Sequence, residues 1–218
     1  MNVRHAYQIL LRKHGPQGWW PTTIRGEKSA RYFFKKNRCC TPTELFEICV
    51  GAILTQNTSW TNVTKALACL CAAKLMDPRK IISARAAKLH KCLRSSGYWR
   101  QKTKKLKIFS KWLVKNYLSD LRKFFKKDLP EARRELLGLW GIGEETADSI
   151  LLYAGGKPIF VIDAYTKKFC GRHGVRLKTY DEYRLFFERR LRGVKNRVKV
   201  YQEFHALIVA WGKEIKKQ

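Results

Sequence analysis

A pair of glycines with one apolar residue between them, Gly141-Ile142-Gly143, is the most suggestive local pattern in the sequence. Apolar residues precede the pair, and a helix-like run begins near Glu144. Glycine tolerates positive φ and, because it lacks a Cβ, lets another molecule approach the backbone closely. The free N–H groups at the start of the following helix would suit a phosphate group. The pattern therefore predicts either an anion-binding turn or only a tight connection between two helices.

An aspartate, Asp163, follows Gly143 by twenty residues and directly succeeds the apolar run 159–162. Aspartate at such a position is typical of a helix N-cap, where its carboxylate accepts hydrogen bonds from free backbone N–H groups. The residues by themselves leave open whether Asp163 does more than begin a helix.

Two adjacent tryptophans, Trp19 and Trp20, lie between Gly18 and Pro21 in a turn-like context. Neighbouring aromatic residues in a loop cannot both point into one core face as easily as aromatic residues at helical spacing can. They are expected either to plug the domain or to form a wall on which a base could stack. The sequence leaves both interpretations open.

The elements that must position these residues are predicted to be helices. Thr41-Pro42-Thr43-Glu44 combines an N-cap, a proline in the first turn and a capping-box glutamate. The helix after it, from Leu45 to about Leu54, is apolar nearly all round and should be the buried central helix. No stretch shows convincing strand alternation, so the expected fold class is all-α.

The composition favours a polyanionic partner. Lys and Arg number 46 against 17 Asp and Glu, which gives a net charge of +29 over 218 residues. Nucleic acid is the first candidate for such an imbalance, and a membrane surface is the competitor. The basic residues are spread through helical segments and are not gathered in one amphipathic tail. This distribution favours a polyanion held in a groove and no membrane partner.

The seven cysteines are odd in number, and several lie in apolar helical runs. No apolar signal segment is found at the N-terminus, and no apolar run is long enough to span a membrane. An intracellular, cytoplasmic location is therefore expected. The pairs Cys69/Cys71 and Cys39/Cys40 have poor zinc spacing and are interpreted as ordinary thiols.

Taken together, several motifs resemble the helix–hairpin–helix DNA glycosylase superfamily that includes endonuclease III. They are Leu-x-Gly-Ile-Gly-x-x-Thr-Ala from Leu139, the later Pro158 with Val161-Ile162-Asp163, the stretch 54–58, and Gly97-Tyr98-Trp99-x-x-Lys102. The resemblance covers residues 41 to about 175, well over half of the chain. It implies an all-α, two-lobed fold with DNA across the cleft. The central lobe would be residues 42–150, and the second lobe residues 1–41 plus 151–218.

The same resemblance implies the roles of individual residues. Asp163 would face the deoxyribose, stabilise its oxocarbenium character and position the attacking water. Inserting side chains would fill the gap left by a flipped base, and other groups would hold the DNA backbone. The inserting residues would be Gln56 and Tyr98, the backbone-binding residues Gly141, Gly143, Thr146, Lys102 and Lys105, and a monovalent cation could lie at the carbonyls of Leu137, Leu139 and Ile142.

Two departures from the family pattern predict the subtype. Bifunctional members carry a Schiff-base lysine where this chain has Glu145, so strand cleavage by that route is not expected. Many members bind an iron–sulfur cluster through four cysteines, whereas only Cys170 follows residue 92 here. The prediction is a monofunctional, cofactor-free enzyme that acts as a monomer on double-stranded DNA containing a damaged base.

Within the family the sequence looks most like the small, cluster-free 3-methyladenine DNA glycosylases. The base pocket is predicted to contain Trp19, Trp20, Pro21, Trp60 and Asn57. A cationic methylated purine would gain from electron-rich aromatic rings. Two alternatives are a uracil or mismatched-thymine glycosylase on the same fold and a non-catalytic helix–hairpin–helix DNA-binding protein. His205 is expected to be a core histidine. Asp148 and Asp181 are expected to be surface or helix-capping carboxylates.

Overall fold

The computed structural model describes residues 1–23, 30–32 and 40–216. In those ranges the chain forms twelve α-helices, and the prediction of an all-α fold is confirmed. The one addition is a short antiparallel pair in which Thr22–Thr23 faces Ala30–Arg31. Two-residue strands are too short to show an alternation pattern, so they could not be predicted from the sequence. Residues 24–29 and 33–39 of the predicted second lobe lie outside the described residues.

The helices follow one another with short connections. Their bounds are α1 Val3–His14, α2 Pro42–Leu54, α3 Trp60–Ala72, α4 Pro78–Ser83, α5 Ala86–Leu93, α6 Trp99–Tyr117, α7 Leu121–Phe124, α8 Leu129–Leu137, α9 Glu144–Ser149, α10 Ala164–Arg172, α11 Tyr180–Arg190 and α12 Arg197–Glu214. A 3₁₀ turn, Arg94–Ser96, leads towards α6, and a π-helical turn, Ile150–Ala154, continues α9.

Helix α2 is the buried centre of the fold, as its apolar sequence predicts. The capping box forms as expected: the Thr41 hydroxyl accepts from the Glu44 N–H at 3.3 Å, and the Glu44 carboxylate accepts from the Thr41 N–H at 2.8 Å. All residues from Glu44 to Leu54 are buried. The helix packs against α3, α6, α7 and α9, so it connects the middle of the chain to the hairpin region.

The two ends of the chain lie side by side. Helix α1 packs against α11 and α12, and α10 also packs against α12. This arrangement is the one that a second lobe built from both termini requires. The lobe boundary predicted at residue 150 falls inside the continuous helical segment of α9 and the π-helical turn, and it stays a prediction.

Helix α6 separates a buried face from a cationic one. Leu106, Phe109 and Leu113 are fully buried, whereas Lys104 and Lys111 are exposed. None of the described helices combines the length and the apolar character needed to cross a membrane.

Candidate active site and nucleic-acid interface

Asp163 is the N-cap of α10, and its second carboxylate oxygen does not take part in the cap. Oδ1 accepts hydrogen bonds from the Thr166 N–H at 2.7 Å and the Thr166 hydroxyl at 2.8 Å. Oδ2 lies 3.5 Å from Nε2 of His205. The Asp163 side chain is 14% exposed. One oxygen therefore fixes the carboxylate, and the other is available for chemistry.

The loop before Asp163 is held firmly by side chains from α11. The Phe160 N–H donates to the Glu188 carboxylate at 3.0 Å, and the Ile162 N–H donates to the Tyr180 hydroxyl at 3.2 Å. The apolar run 159–162 is buried. Because backbone and side chains are both anchored, the position of Asp163 is set by the core and not by a free loop.

Two opposing effects act on the ionisation of Asp163. Burial by itself raises the pKa, but hydrogen bonding and charge from His205 and the hydrogen bonds from Thr166 outweigh it. The net result is a pKa of Asp163 below its ordinary value. The carboxylate is therefore ionised at neutral pH, the form needed to stabilise a cationic sugar or to accept a proton from water.

Glu145 lies close enough to Asp163 for the two carboxylates to interact electrostatically. Solvent reaches the Glu145 side chain, yet surrounding protein desolvates its carboxylate. This desolvation, followed by the negative charge of Asp163, raises the pKa of Glu145, while His205 and Lys167 act in the opposite direction. Sequence reasoning assigned Glu145 to the helix N-terminus; the structure also places it beside the candidate catalytic carboxylate.

Four of the predicted pocket residues, Trp19, Trp20, Pro21 and Trp60, line one recess, whose empty volume of about 140 Å³ includes space open to solvent. Trp20 contacts Trp60 edge-on, with ring centroids 5.1 Å apart. Ordinary ligand pockets enclose roughly 300–1,000 Å³. The recess is much smaller than such pockets, and the surface that lines it is apolar.

Tyr153 and His205 join this recess to Asp163. The Tyr153 ring lies 5.0 Å from the Trp20 ring, and the His205 ring lies 5.9 Å from the Trp19 ring. The Tyr153 hydroxyl is 2.7 Å from Nδ1 of His205. Aromatic wall and carboxylate thus belong to one site. His205 is buried, as predicted, but it is not merely a core residue.

One predicted pocket residue lies elsewhere, and one neighbour of the pocket was missed. Asn57 is exposed, has a left-handed backbone with φ of 53°, and does not line the recess. Its placement speaks against the predicted pocket role.

Tyr32, by contrast, lies beside the indole of Trp60, which hydrogen-bonds to the Tyr32 hydroxyl. Tyr32 begins the aromatic run Tyr32-Phe33-Phe34, which has neither helical nor strand periodicity, and sequence reasoning did not single it out.

The glycine pair forms the turn between α8 and α9, and the two glycines differ in conformation. Gly141 has φ of +85°, and a Cβ there would lie 2.7 Å from the Lys105 side chain. Gly143 has φ of −95° and is the N-cap of α9. Only Gly141 uses the positive φ that glycine allows, whereas the backbone conformation of Gly143 is one that any residue could adopt.

Gln56 holds this hairpin in place. Its Nε2 donates to the Gly141 carbonyl at 3.0 Å and to the Thr146 hydroxyl at 2.9 Å, and its Oε1 accepts from the Lys105 ammonium. Thr146 is buried. Insertion of Gln56 into DNA would require these hydrogen bonds to break. Lys105 and Thr146 are likewise bound to Gln56, so they would have to leave it before they could contact a phosphate.

The two residues predicted from the stretch 97–102 are placed very differently. Tyr98 is 63% exposed and has φ of 46°, so its ring stands out from the start of α6. Lys102 is only 2% exposed, and its Nζ donates to the Ser96 carbonyl at 2.5 Å. Burial, followed by the charge of Lys105, lowers the pKa of Lys102 to about 8. The prediction that Lys102 meets a DNA phosphate is corrected: the ammonium is enclosed under the 3₁₀ turn.

A residue on the hairpin that sequence reasoning missed is Trp140. It is 50% exposed, and the Lys104 Nζ lies 4.3 Å from the centroid of its ring.

Of the carbonyls predicted to bind a cation, that of Leu139 accepts the Ile142 N–H at 3.0 Å. The cation site stays a prediction. Within the described residues, no group of three or more His, Cys, Asp or Glu side chains is arranged to hold a metal ion.

Comparison with known proteins identifies the family to which this arrangement belongs. The model of the HhH-GPD superfamily of base excision DNA repair proteins matches residues 50–193. The chain belongs to this superfamily, and the resemblance to helix–hairpin–helix DNA glycosylases is confirmed.

Individual relatives extend the likeness over nearly the whole chain. A Methanocaldococcus jannaschii protein named "Putative DNA repair glycosylase" is 40% identical over 95% of this chain and 85% of its own. The H. pylori 3-methyladenine DNA glycosylase MagIII, solved with 1,N6-ethenoadenine, matches with a TM-score of 0.80 and 28% identity over 99% of both chains. A trapped endonuclease III–DNA covalent intermediate matches with a TM-score of 0.69 over 97% of this chain and 85% of that one. Its 18% identity makes the last a likeness of fold alone.

Proposed function

We propose that this protein is a monofunctional DNA glycosylase that hydrolyses the N-glycosidic bond of a flipped-out alkylated purine of the 3-methyladenine type. The observation that carries the proposal is the ionised Asp163 carboxylate, joined through His205 and Tyr153 to the tryptophan recess. The proposed partner is double-stranded DNA with one damaged base, bound by a monomer.

The reaction requires a base outside the helix and a stabilised sugar cation. Flipping costs a few kcal/mol of unstacking and unpairing. As the glycosidic C–N bond breaks, its electron pair leaves with the base and the sugar gains positive charge. The free oxygen of Asp163 stabilises that charge and then accepts a proton from the water whose oxygen bonds to the sugar carbon. The products are a free base and an intact strand with an abasic site.

The composition of the recess supports an alkylated purine as the substrate. Methylation at N3 or N7 makes the purine cationic and a good leaving group, so little acid catalysis is needed. A cation over an aromatic ring gains roughly 0.5–2 kcal/mol, and Trp19, Trp20 and Trp60 supply three such rings. The 28% identical H. pylori relative is itself a 3-methyladenine DNA glycosylase, which is consistent with this assignment.

The residue at position 145 supports hydrolysis without strand cleavage. A Schiff base requires an amine, and Glu145 offers a carboxylate instead. The proposed mechanism uses no cofactor. With only Cys170 after residue 92, the sequence also lacks the four closely spaced cysteines of the family's iron–sulfur cluster.

DNA binding is proposed to use the hairpin and the cationic face next to it. The backbone N–H groups around Gly141 and Gly143 would meet a phosphate. Lys104 and Trp140 lie beside them, and the exposed ring of Tyr98 is the candidate for insertion beside the flipped base. Lys102 has no place on this surface, because its ammonium is buried.

The alternatives receive less support from the site. A uracil or mismatched-thymine glycosylase needs polar groups that read a pyrimidine edge, yet Asn57 lies outside the recess and Gln56 is bound to the hairpin. A non-catalytic DNA-binding protein has no use for an ionised carboxylate facing a phosphodiester chain.

A panel of duplexes, each with one lesion, tests the proposal directly. Wild-type protein is expected to release 3-methyladenine faster than uracil or mismatched thymine. Asp163→Asn should abolish release while DNA affinity stays equal or rises, because one negative charge near the phosphates is removed. A catalytically active Asp163→Asn protein would overturn the mechanism, and preferential release of uracil would overturn the substrate assignment.

A further inference from the structure

His205 stands between the catalytic carboxylate and the aromatic recess, with both ring nitrogens directed at functional residues. Its Nδ1 lies 2.7 Å from the Tyr153 hydroxyl, and its Nε2 lies 3.5 Å from Oδ2 of Asp163. The side chain is 6% exposed. Nε2 is buried and has no hydrogen-bond partner among the other described groups, so the Asp163 carboxylate at 3.5 Å is the group it faces.

The surroundings of His205 fix the orientation of its ring. Trp19 packs edge-on against the imidazole with ring centroids 5.9 Å apart, and Tyr153 packs against it at the same separation. The Tyr153 hydroxyl lies 3.2 Å from the Gln202 carbonyl and 2.7 Å from Nδ1, and with Nδ1 unprotonated its one proton is donated to Nδ1, the shorter contact. We assign a proton to Nε2, because an unprotonated nitrogen facing a carboxylate would be repelled.

We infer that His205 is a positioning residue, which holds Oδ2 of Asp163 towards the sugar by donating from Nε2 while Tyr153 fixes the imidazole through Nδ1. This inference rests on the proposed role of Asp163. Thr166 secures Oδ1 with two hydrogen bonds, and without His205 nothing described on the opposite side would hold Oδ2. Carboxylate geometry then depends on two side chains from two different helices, α10 and α12.

Several other titratable groups surround this pair. Glu145 of α9 and Lys213 of α12 both interact electrostatically with Asp163, and Lys167 of α10 acts on Glu145. Tyr153 is influenced by Asp163 and by Glu203. Replacing His205 leaves these residues in place, but it also removes the effect of His205 on Glu145, so Glu145→Gln combined with each His205 variant shows whether a change in the pH profile comes from Asp163.

Two isosteric substitutions separate the two nitrogens of the imidazole. His205→Gln places an amide group near the position of Nε2 and keeps a donor for Asp163. His205→Asn places its amide near the position of Nδ1, keeps a partner for Tyr153 and leaves Oδ2 without a donor. Single-turnover excision of the base that wild type releases should slow about 10- to 100-fold in His205→Asn, as for a lost hydrogen bond to a charged group. His205→Gln should recover most of the rate.

The acid limb of the rate profile provides a readout that a structural role would not change. His205 favours the ionised carboxylate, so its loss raises the pKa of Asp163, and the rate of His205→Asn should fall off at higher pH than that of wild type. His205→Gln should lie between the two. Affinity for abasic-site DNA should stay at the wild-type value in both variants. The control is His173→Asn, which changes an exposed imidazole at the far end of α10, packed on Phe169.

The outcomes distinguish this inference from the proposed function. If Asp163→Asn keeps full activity, the proposed function fails and His205 loses its role with it. If Asp163→Asn is inactive, three results overturn the positioning role alone: His205→Asn with wild-type rate, His205→Gln slower than His205→Asn, or both variants slowed with an unchanged acid limb. Thermal unfolding of each variant shows whether a slow protein is folded. If the His205→Asn protein does not fold, the rate and the acid limb of His205→Gln decide whether His205 positions Asp163.

Discussion

Arg133 and Asp148 form a buried ion pair that joins α8 to α9, with the Nε to Oδ1 distance at 2.8 Å. The Asp148 carboxyl is fully buried. Arg133 also lies 3.1 Å from Oδ1 of Asp181 on α11. Tyr180 interacts with Asp148 and accepts the Ile162 N–H, one residue before Asp163. A network of charges therefore connects the hairpin helices to the loop that carries Asp163, the proposed catalytic carboxylate.

This network predicts how the free energy of unfolding changes with pH. Burial, only partly offset by Arg133 and Tyr180, raises the pKa of Asp148 to about 6 from 3.8. A raised pKa means that the folded state binds the proton more tightly. The contribution of Asp148 to stability is thus complete below about pH 4 and is lost as pH rises through about 6. Relative to Asp148→Asn, wild type should lose about 2 kcal/mol between pH 4 and pH 7.

Urea unfolding of both proteins at pH 4, 5.5 and 7 measures this difference. Asp181→Asn is the matched control from the same network. Burial raises the pKa of Asp181, but Arg184 and Arg133 outweigh it and the pKa is lowered. Its stabilising contribution is present above the unfolded pKa and is lost as pH falls. The two variants should therefore deviate from wild type in opposite directions with pH; parallel profiles would contradict the assignment of the buried charge.

The helices and the central role of α2 could be predicted because their signals are local. The capping box at Thr41 and Glu44 and the nearly uninterrupted apolar run to Leu54 need no knowledge of distant residues. The all-α class and the hairpin at Gly141 follow from the same kind of pattern. Asp163 could be singled out because it directly follows a buried apolar run.

What could not be predicted depends on contacts between distant parts of the chain. Gln56 meets Gly141 across 85 residues, and Arg133 buries the carboxyl of Asp148, which the sequence interprets as a surface residue. Lys102 belongs to a cationic stretch, yet one turn of α6 places its ammonium beneath Ser96. Sequence spacing gives the face of a helix, but it does not reveal which neighbouring element covers that face.

The burial of Lys102 leads to a prediction about salt dependence. Each lysine that meets a phosphate contributes about one unit to the slope of log affinity against log salt. Lys104→Ala should lower the slope by about one unit, since Lys104 is exposed beside the hairpin. Lys102→Ala should leave the slope unchanged and instead lower the free energy of unfolding by roughly 1–3 kcal/mol, because the Ser96 carbonyl loses its buried partner.

Fluorescence anisotropy on an undamaged duplex at several salt concentrations, with urea unfolding alongside, measures both effects. The two lysines are two residues apart on α6, so the comparison is closely matched. A Lys102→Ala protein with normal stability and a reduced salt slope would show that Lys102 does contact a DNA phosphate.

The carboxylate at position 145 leads to a prediction about whether the reaction product is a cut or an intact DNA strand. Wild type should leave an abasic site without a nick, and borohydride should trap no covalent protein–DNA adduct, because position 145 carries a carboxylate where bifunctional members carry the Schiff-base lysine. Glu145→Lys places an amine beside Asp163 and should give measurable trapping. Glu144→Lys makes the same change of charge one residue earlier, near Arg133 at 3.6 Å, and should give none. Efficient trapping by wild type would refute the monofunctional assignment.

The tryptophan recess predicts discrimination between cationic and neutral bases. Trp60 begins α3 and is only half-buried, so Trp60→Ala removes one wall of the recess with a limited effect on packing. Stacking on an aromatic ring contributes about 1–3 kcal/mol per base, which corresponds to about 5- to 150-fold in rate. Excision of 3-methyladenine should slow by that factor. A neutral lesion that the enzyme accepts should slow less, because only the methylated base also gains the cation–π energy.

The matched control is Trp112→Leu, which removes a buried indole remote from the recess. Trp112 donates from Nε1 to Glu135 at 2.9 Å and packs on Phe124, so its loss should lower the melting temperature without changing the ratio of the two excision rates. Single-turnover kinetics on both substrates and thermal unfolding should be measured for each variant. Equal slowing of the cationic and the neutral base by Trp60→Ala, together with a destabilised fold, would make the tryptophans part of the core and would favour a pyrimidine substrate again.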